Sequence, residues 1–229
     1  MWSTPERLLY ASYAAYSQHF VDLRGLPARL GESLWIGSYF GLVAQLPEPP
    51  TLLLDIDTEA VREAVQHFPG IPVVQADLCN LPFHQCFDTI IMLGAVSAYL
   101  LDDACLARAA HSLCAALRQH PARCLYLDAY HRRYILDSRQ FNGSQTLMLR
   151  GQRWRREARS VGCPGESLLF DVTLYLQPED GSQSARHYHF QQRAFDPDEF
   201  YAPFKAHGLV CRDVRVDEHS GRFVLVLGA

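Results

Sequence analysis

The sequence lacks any apolar run near the about 20 residues that cross a bilayer, so no membrane partner is expected. Its opening, "MWSTPERLLYASYAAYSQHF", is an amphipathic helix pattern broken by polar residues and has no signal-peptide core. Basic excess is also absent: the formal charge is −4, which leaves no surplus to replace phosphate counterions and argues against a nucleic-acid partner. The arginine clusters Arg132-Arg133 and Arg153 to Arg159 read as solvated faces. Seven cysteines form no C-x-x-C pair. An odd number so spaced suggests neither a zinc site nor a disulfide framework, and a reducing cytoplasm is the expected setting. There is no Gly-x-Ser-x-Gly elbow, no Walker loop and no Cys/His constellation. Repeats, low-complexity tracts and linkers are missing as well.

What is present suits a soluble globular chain. Hydrophobic residues make up 48% and charged residues 20% of 229 positions, enough to bury a full core. The chain is read as one domain over 1–229, with an N-terminal lid over 1–30 and an insertion over 141–195.

Residues 5–20 have helical spacing, with Tyr10, Tyr13 and Phe20 near one face and Tyr16 close by. Strands are predicted at 33–36, 51–56, 71–77, 87–93 and 123–130. Helices are predicted at 38–46, ended by Pro47, Pro49 and Pro50, at 57–68, capped by Asp57 or Thr58, and at 102–118. The strands are nearly continuous apolar runs alternating with helices, the pattern of a parallel sheet covered on both faces. Beyond residue 140 the segments "QTLMLRGQRW", "ESLLFDVTLYL" and "ARHYHFQQRAF" predict a three-strand antiparallel insertion. A helix at 196–207 with Pro197 in its first turn follows, then strands at 209–216 and 222–227 around His219-Ser220-Gly221.

In such a sheet a ligand lies beyond the carboxyl ends of the strands, at the switch point beside the first. Asp55 ends the second strand, where a carboxylate accepts hydrogen bonds from both ribose hydroxyls of a nucleoside. Asp77, ending the third, suits an exocyclic amine or a plain turn. Gly94, after the fourth, permits close backbone approach, with Ser97 and Tyr99 behind it.

"LLLDIDTEAVREAV", "VVQADLCNLPF", "FDTIIMLGAVSAYLLDDACLARAAHSL" and "LYLDAYHRR" together resemble the successive motifs of class I S-adenosylmethionine-dependent methyltransferases, above all small-molecule enzymes with an antiparallel insertion before the last helix. The resemblance covers about residues 30–229. It implies an α/β Rossmann-like sheet and an S-adenosylmethionine site. Asp55 and Ile56 would serve the ribose side, Asp77 and Leu78 the adenine, and Gly37, Ser38, Gly41, Leu93 and Gly94 the remainder. Tyr10 and Tyr16 would face the sulfonium from a lid helix.

The opening loop departs from that pattern. Aligned on Gly37, "LWIGSYFG" puts Trp35 where an acidic residue is usual and Tyr39 where the middle glycine stands. Aromatic faces attract a poorly hydrated cation by about 0.5–2 kcal/mol each when desolvated. Trp35, Tyr39 and Phe40, with Tyr10, Tyr13, Tyr16 and Tyr99, form a candidate sulfonium cage, Tyr39 foremost. Candidate catalytic residues are Tyr39, Tyr99, His131 as general base, and Tyr175, with Trp154, His187, Tyr188 and His189 walling an acceptor. His187 and His189 share a strand face but have no third ligand, so no metal is expected.

Three functions stay open. One is methyl transfer to a small acceptor. Another is cyclisation of S-adenosylmethionine itself to azetidine-2-carboxylate with loss of methylthioadenosine. The third is a binding subunit without catalysis.

Overall fold

The computed structural model describes residues 5–17, 21–37, 40–163 and 166–229. Its main sheet has seven strands in the order β10-β11-β5-β4-β1-β2-β3. These are β1 Ser33–Ile36, β2 Leu52–Asp55, β3 Val73–Gln75, β4 Thr89–Met92, β5 Cys124–Tyr130, β10 Val210–Asp217 and β11 Arg222–Gly228. Strands β1 to β5 run parallel, and β11 is antiparallel to both β5 and β10. The order reverses beside β1, so the crevice expected of an open α/β sheet opens there.

The parallel strands are covered on both faces, and the two-residue period of a strand sorts their side chains. Leu34, Ile36, Ile90 and Met92 join one core with α4 (Asp103–Ala116) and α5 (Pro197–Ala206). Trp35, Ile91, Leu93 and Tyr126 join the opposite core with Leu42, Val43 and Ala64. Trp35 is fully buried there, so the sulfonium-cage role expected of it fails. A ring on that face of β1 is core by geometry. Leu93 lies in the same core.

The second helix ends earlier than its pattern, at Val43 and not at 46. Among the described residues α1 is Pro5–Ser17 and α2 is Phe40–Val43. Between β2 and β3, α3 (Thr58–His67) is capped by Asp57, whose carboxylate accepts from the Glu59 N–H at 2.9 Å.

The insertion has four antiparallel strands, not three: β6 Gly143–Leu149, β7 Gln152–Cys163, β8 Glu166–Pro178 and β9 Arg186–Arg193. "QTLMLRGQRW" folds back on itself because Arg150 and Gly151, both at positive φ, make a tight turn. Its apolar face, including Trp154, Phe170 and Leu174, packs with Leu8 and Leu9 of α1. Arg156 is fully buried on this face, against the solvated reading of its cluster; it donates to the Gln140 carbonyl and to Gln145 Oε1 at 2.8 Å. The insertion rejoins the main sheet where the Phe195 N–H donates to Tyr130 O at 2.8 Å and Phe195 O accepts from Arg132 N–H at 2.9 Å. No helix of the described residues is long and apolar enough to cross a membrane.

Candidate functional site

A cavity of about 310 Å³ lies at the carboxyl ends of β1 to β4, within the size range of small-molecule sites. Each strand end contributes a turn that opens a helix.

After β1, Gly37 adopts φ +97°, and its N–H donates to Leu54 O at 2.9 Å. A Cβ at that position would lie 2.6 Å from the Val96 side chain, so glycine is required by space as well as by conformation. The Trp35 indole N–H reaches round to Gly37 O at 2.9 Å and holds the same turn from the core side.

After β2, Asp55 lines the cavity while accepting from the Asp57 N–H at 2.9 Å. Ile56 stands 64% exposed at the mouth; its carbonyl is held by the Gln75 side chain at 3.0 Å. After β3, Asp77 accepts from the Cys79 N–H at 2.8 Å and caps the short turn Leu78–Asn80. The turn role and the cavity-lining position are therefore both occupied by Asp77. Burial, then Asp77, push the Cys79 thiol up, which leaves it a poor nucleophile.

After β4, Gly94 and Ala95 both take positive φ, a conformation that costs a non-glycine residue roughly 1–2 kcal/mol. Asp128 of β5 holds the pair by accepting from Gly94 N–H at 3.1 Å and Ala95 N–H at 2.7 Å. Asp128 in turn meets the Arg222 guanidinium at 2.7 Å, with both side chains almost fully buried. Arg222 also donates to Gln140 Oε1 at 3.1 Å, and Gln140 donates to the Tyr130 hydroxyl at 2.7 Å. Burial pushes the Asp128 carboxyl up; Arg222 and the two backbone N–H groups oppose it. Neither Asp128 nor Arg222 was singled out in the sequence. The available signal is a lone charge within one apolar strand, "CLYLDAY", and another at the head of a second, "RFVLVLG".

Of the expected site residues, the cavity brings together Tyr10, Gly37, Asp55, Ile56, Asp77, Leu78, Gly94 and Tyr99. It adds Val96, Leu100, Cys79, Cys105, Tyr130 and Gln192, none of which the motif reading had assigned a role in binding. Lys, Arg and His are missing from the lining among the described residues, against three aspartates. One of the three, Asp57, faces the Arg7 guanidinium at 3.6 Å; the other two carboxylates favour a cation over a phosphate.

Other expected residues lie elsewhere. His131 does not line the cavity: its ring packs on Tyr134 and Phe223, and Nδ1 accepts from the Arg133 N–H at 3.2 Å. Burial pulls its pKa below the usual imidazole value. Tyr175 stacks edge-on with His187 out on the insertion and donates to Gln177 at 3.1 Å. Trp154 is fully buried in the insertion core. Gly41 is exposed and outside the lining. Ser38 and Tyr39 lie outside the described residues, as do the side chains of Tyr13, Tyr16 and Phe40.

No family model matches the sequence, and a search of curated proteins returns no relative. Solved structures do match, along the whole chain. An S-adenosylmethionine-dependent methyltransferase from Clostridium acetobutylicum superposes with TM-score 0.71 at 15% identity, covering 98% of this chain and 99% of its own. CalS10, an amino pentose methyltransferase from Micromonospora echinaspora solved with its cofactor bound, gives 0.67 at 16%, covering 100% and 98%. The sugar N-methyltransferase KedS8 from Streptoalloteichus gives 0.64 at 20%, covering 99% and 94%. The fold is that of class I S-adenosylmethionine-dependent methyltransferases, with its antiparallel insertion and N-terminal helix.

Proposed function

We propose that the chain, as one domain over 1–229, binds S-adenosylmethionine in this cavity and transfers its methyl group to a small-molecule acceptor. The observation carrying this reading is the lining itself: three aspartates, no basic side chain among the described residues, and the rings of Tyr10, Tyr99 and Tyr130 at the strand-end crevice. That chemistry suits a nucleoside with a cationic tail and repels a nucleotide phosphate.

When bound, S-adenosylmethionine supplies an electrophilic methyl group on a sulfonium. Asp55 receives the ribose hydroxyls; a carboxylate has about four acceptor sites, one of which takes the Asp57 N–H. Ile56 and Leu78 flank the base, and Asp77 meets its amino group. Gly37 and Gly94 allow the backbone to approach the methionine portion. Tyr10 covers the site from α1, and Tyr99 borders the transfer path. Holding the acceptor's nucleophilic atom in line supplies most of the acceleration. The acceptors named for the matched proteins, an amino pentose and a sugar amine, make amines the first class to try.

Calorimetric titration with S-adenosylmethionine, S-adenosylhomocysteine and ATP tests the reading. Binding of the first two and not of ATP is expected; absence of heat with both sulfur nucleosides overturns it. Incubation with S-adenosylmethionine alone, followed by mass spectrometry, should leave the compound intact. Methylthioadenosine with a cyclic amino acid, above the spontaneous background, would make the cofactor itself the substrate.

A further inference from the structure

Two of the seven cysteines, Cys79 and Cys105, line the cavity. The first lies in the short turn after β3, and the second in the opening turn of α4, where the capping Asp102 accepts its N–H at 2.6 Å. The Cys79 thiol donates to the Cys105 carbonyl at 3.6 Å, so the two residues stand side by side. Arg108, one turn further along α4, donates to Cys105 Sγ at 3.1 Å in a contact open to solvent. The same guanidinium reaches the other sulfur: burial, Asp77 and Cys105 push the Cys79 thiol up, and Arg108 opposes them. Both cysteines are free and half-buried, within reach of a small reagent.

We propose that Cys79 and Cys105 are a redox-active dithiol, which a hydroperoxide oxidises to an intramolecular disulfide that weakens nucleoside binding in the cavity. With hydrogen peroxide, the Cys105 sulfur attacks one oxygen. An S–O bond forms as the O–O bond breaks, and the departing hydroxide takes the thiol proton and leaves as water. The Cys79 sulfur then attacks the sulfenic sulfur. The S–S bond forms, the S–O bond breaks, and the second hydroxide leaves as water with the Cys79 proton. Two thiols lose two electrons and the peroxide gains them. Arg108 faces the negative charge that an attacking sulfur carries. Cys79, the poorer nucleophile, suits the second step, where its target is already held beside it. The effect on binding rests on the reading above, under which the adenine lies against Asp77 and Leu78. A disulfide holds its two Cβ atoms about 3.5–4.5 Å apart, so the bond pins the turn next to Leu78 onto α4 and keeps that edge from adjusting to a base.

The test treats the reduced full chain with hydrogen peroxide, blocks the remaining thiols and maps the peptides by mass spectrometry. A Cys79–Cys105 cross-link, lighter by two hydrogens and reversed by dithiothreitol, is expected. S-adenosylmethionine and methylthioadenosine, which share the adenine, should then each bind roughly tenfold more weakly by calorimetry and recover on reduction. By linkage, saturating S-adenosylmethionine should favour the reduced pair in a glutathione buffer by the same factor. In Cys105→Ser, peroxide should leave both affinities where they stood. Sulfinic acid at either position without the cross-link, or disulfides joining other cysteines only, overturns the proposal. A Cys79–Cys105 bond that leaves both affinities unchanged overturns the effect on binding. If the reduced wild type binds neither sulfur nucleoside, the cofactor reading fails. The mapping still decides the dithiol in that case, because the cross-link is read without any ligand.

Discussion

Asp128 and Arg222 form a 2.7 Å ion pair in which both side chains are almost fully buried, and the same carboxylate carries the N–H groups of Gly94 and Ala95. The pair lies 94 residues apart in sequence. It joins the antiparallel strand β11 to the loop that borders the cavity. Breaking one side of a buried pair leaves an uncompensated charge, worth about 3–5 kcal/mol. Asp128→Asn should therefore cost about that much in urea or thermal unfolding. The left-handed turn at Gly94 and Ala95 should loosen with it, read as faster amide hydrogen exchange at those two residues. Equal exchange in the variant would show that the turn holds itself.

Gly37 and Val96 make a second contact that tolerates no growth. Gly37→Ala adds a Cβ at φ +97°, 2.6 Å from the Val96 side chain. The conformational part alone costs roughly 1–2 kcal/mol, and the clash adds to it. Adding Val96→Ala should return the steric part and leave the conformational one. The double variant is thus expected between the single variant and the wild type in stability, measured by denaturant unfolding. A double variant no better than Gly37→Ala would mean Val96 already yields.

Asp55 separates binding from folding. Asn at this position keeps an oxygen for the Asp57 N–H, now held at 2.9 Å, but loses the negative charge and one acceptor oxygen. Asp55→Asn should keep a single cooperative unfolding transition, so that binding is read on a folded chain. S-adenosylmethionine affinity should drop at least tenfold by calorimetry, with adenosine falling in parallel. Retained affinity would remove Asp55 from the ribose role.

How much of this was legible in the sequence depends on the range of the physics. Asp57 as helix cap, the strand at 33–36 and the motif order rest on local chemistry: a capping carboxylate before a helical pattern, and apolar runs between breakers. The resemblance drawn from that order led to the observed fold. Trp35 reads as site or as core from sequence: its alignment position points to the site, while the two-residue period of the strand sends its ring to the other face, where it is core. The tight turn at Arg150-Gly151 lies inside a segment whose pattern is that of a single strand. Asp128, Arg222 and Gln192 depend on partners or neighbours brought together by the tertiary fold. No local pattern reports such contacts. His131 shows the opposite error, in which a residue well placed after a strand turns into the packing of Tyr134 and Phe223.

Asp88, at the entrance to β4, is the point where acid should act on stability. Burial by itself raises its carboxyl, but hydrogen bonds from His120, the Glu32 N–H and Arg118 outweigh it and hold the carboxyl below the ordinary range. A carboxyl depressed in the folded state stabilises above its unfolded value, about 3.9, and that contribution disappears as pH falls through the folded value. Stability should thus fall with acidification below about pH 4, and Asp88→Asn should flatten that limb while lowering stability at pH 7. Unfolding curves from pH 2 to 7 check this. Identical acid limbs in the two proteins would assign the loss to other carboxylates.

Arg7 ties α1 to the rim of the cavity. Its guanidinium lies 3.6 Å from Asp57 and is ion-paired with Glu63, and its side chain is only 5% exposed. Asp57 lines the cavity and caps α3, and Tyr10 lines it one helical turn after Arg7, so the contact sets where the aromatic cover rests. Arg7→Met keeps much of the apolar stem and its packing while deleting the charge. Two effects are expected from a loosened α1. Limited proteolysis within residues 5–17 should accelerate, and S-adenosylmethionine should dissociate several-fold faster in stopped-flow displacement, with the association rate changing less. High salt should narrow the difference little, because a pair this enclosed is poorly screened. If proteolysis accelerates while dissociation is unchanged, α1 is anchored by Arg7 but does not retain the ligand, and Tyr10 then loses its covering role.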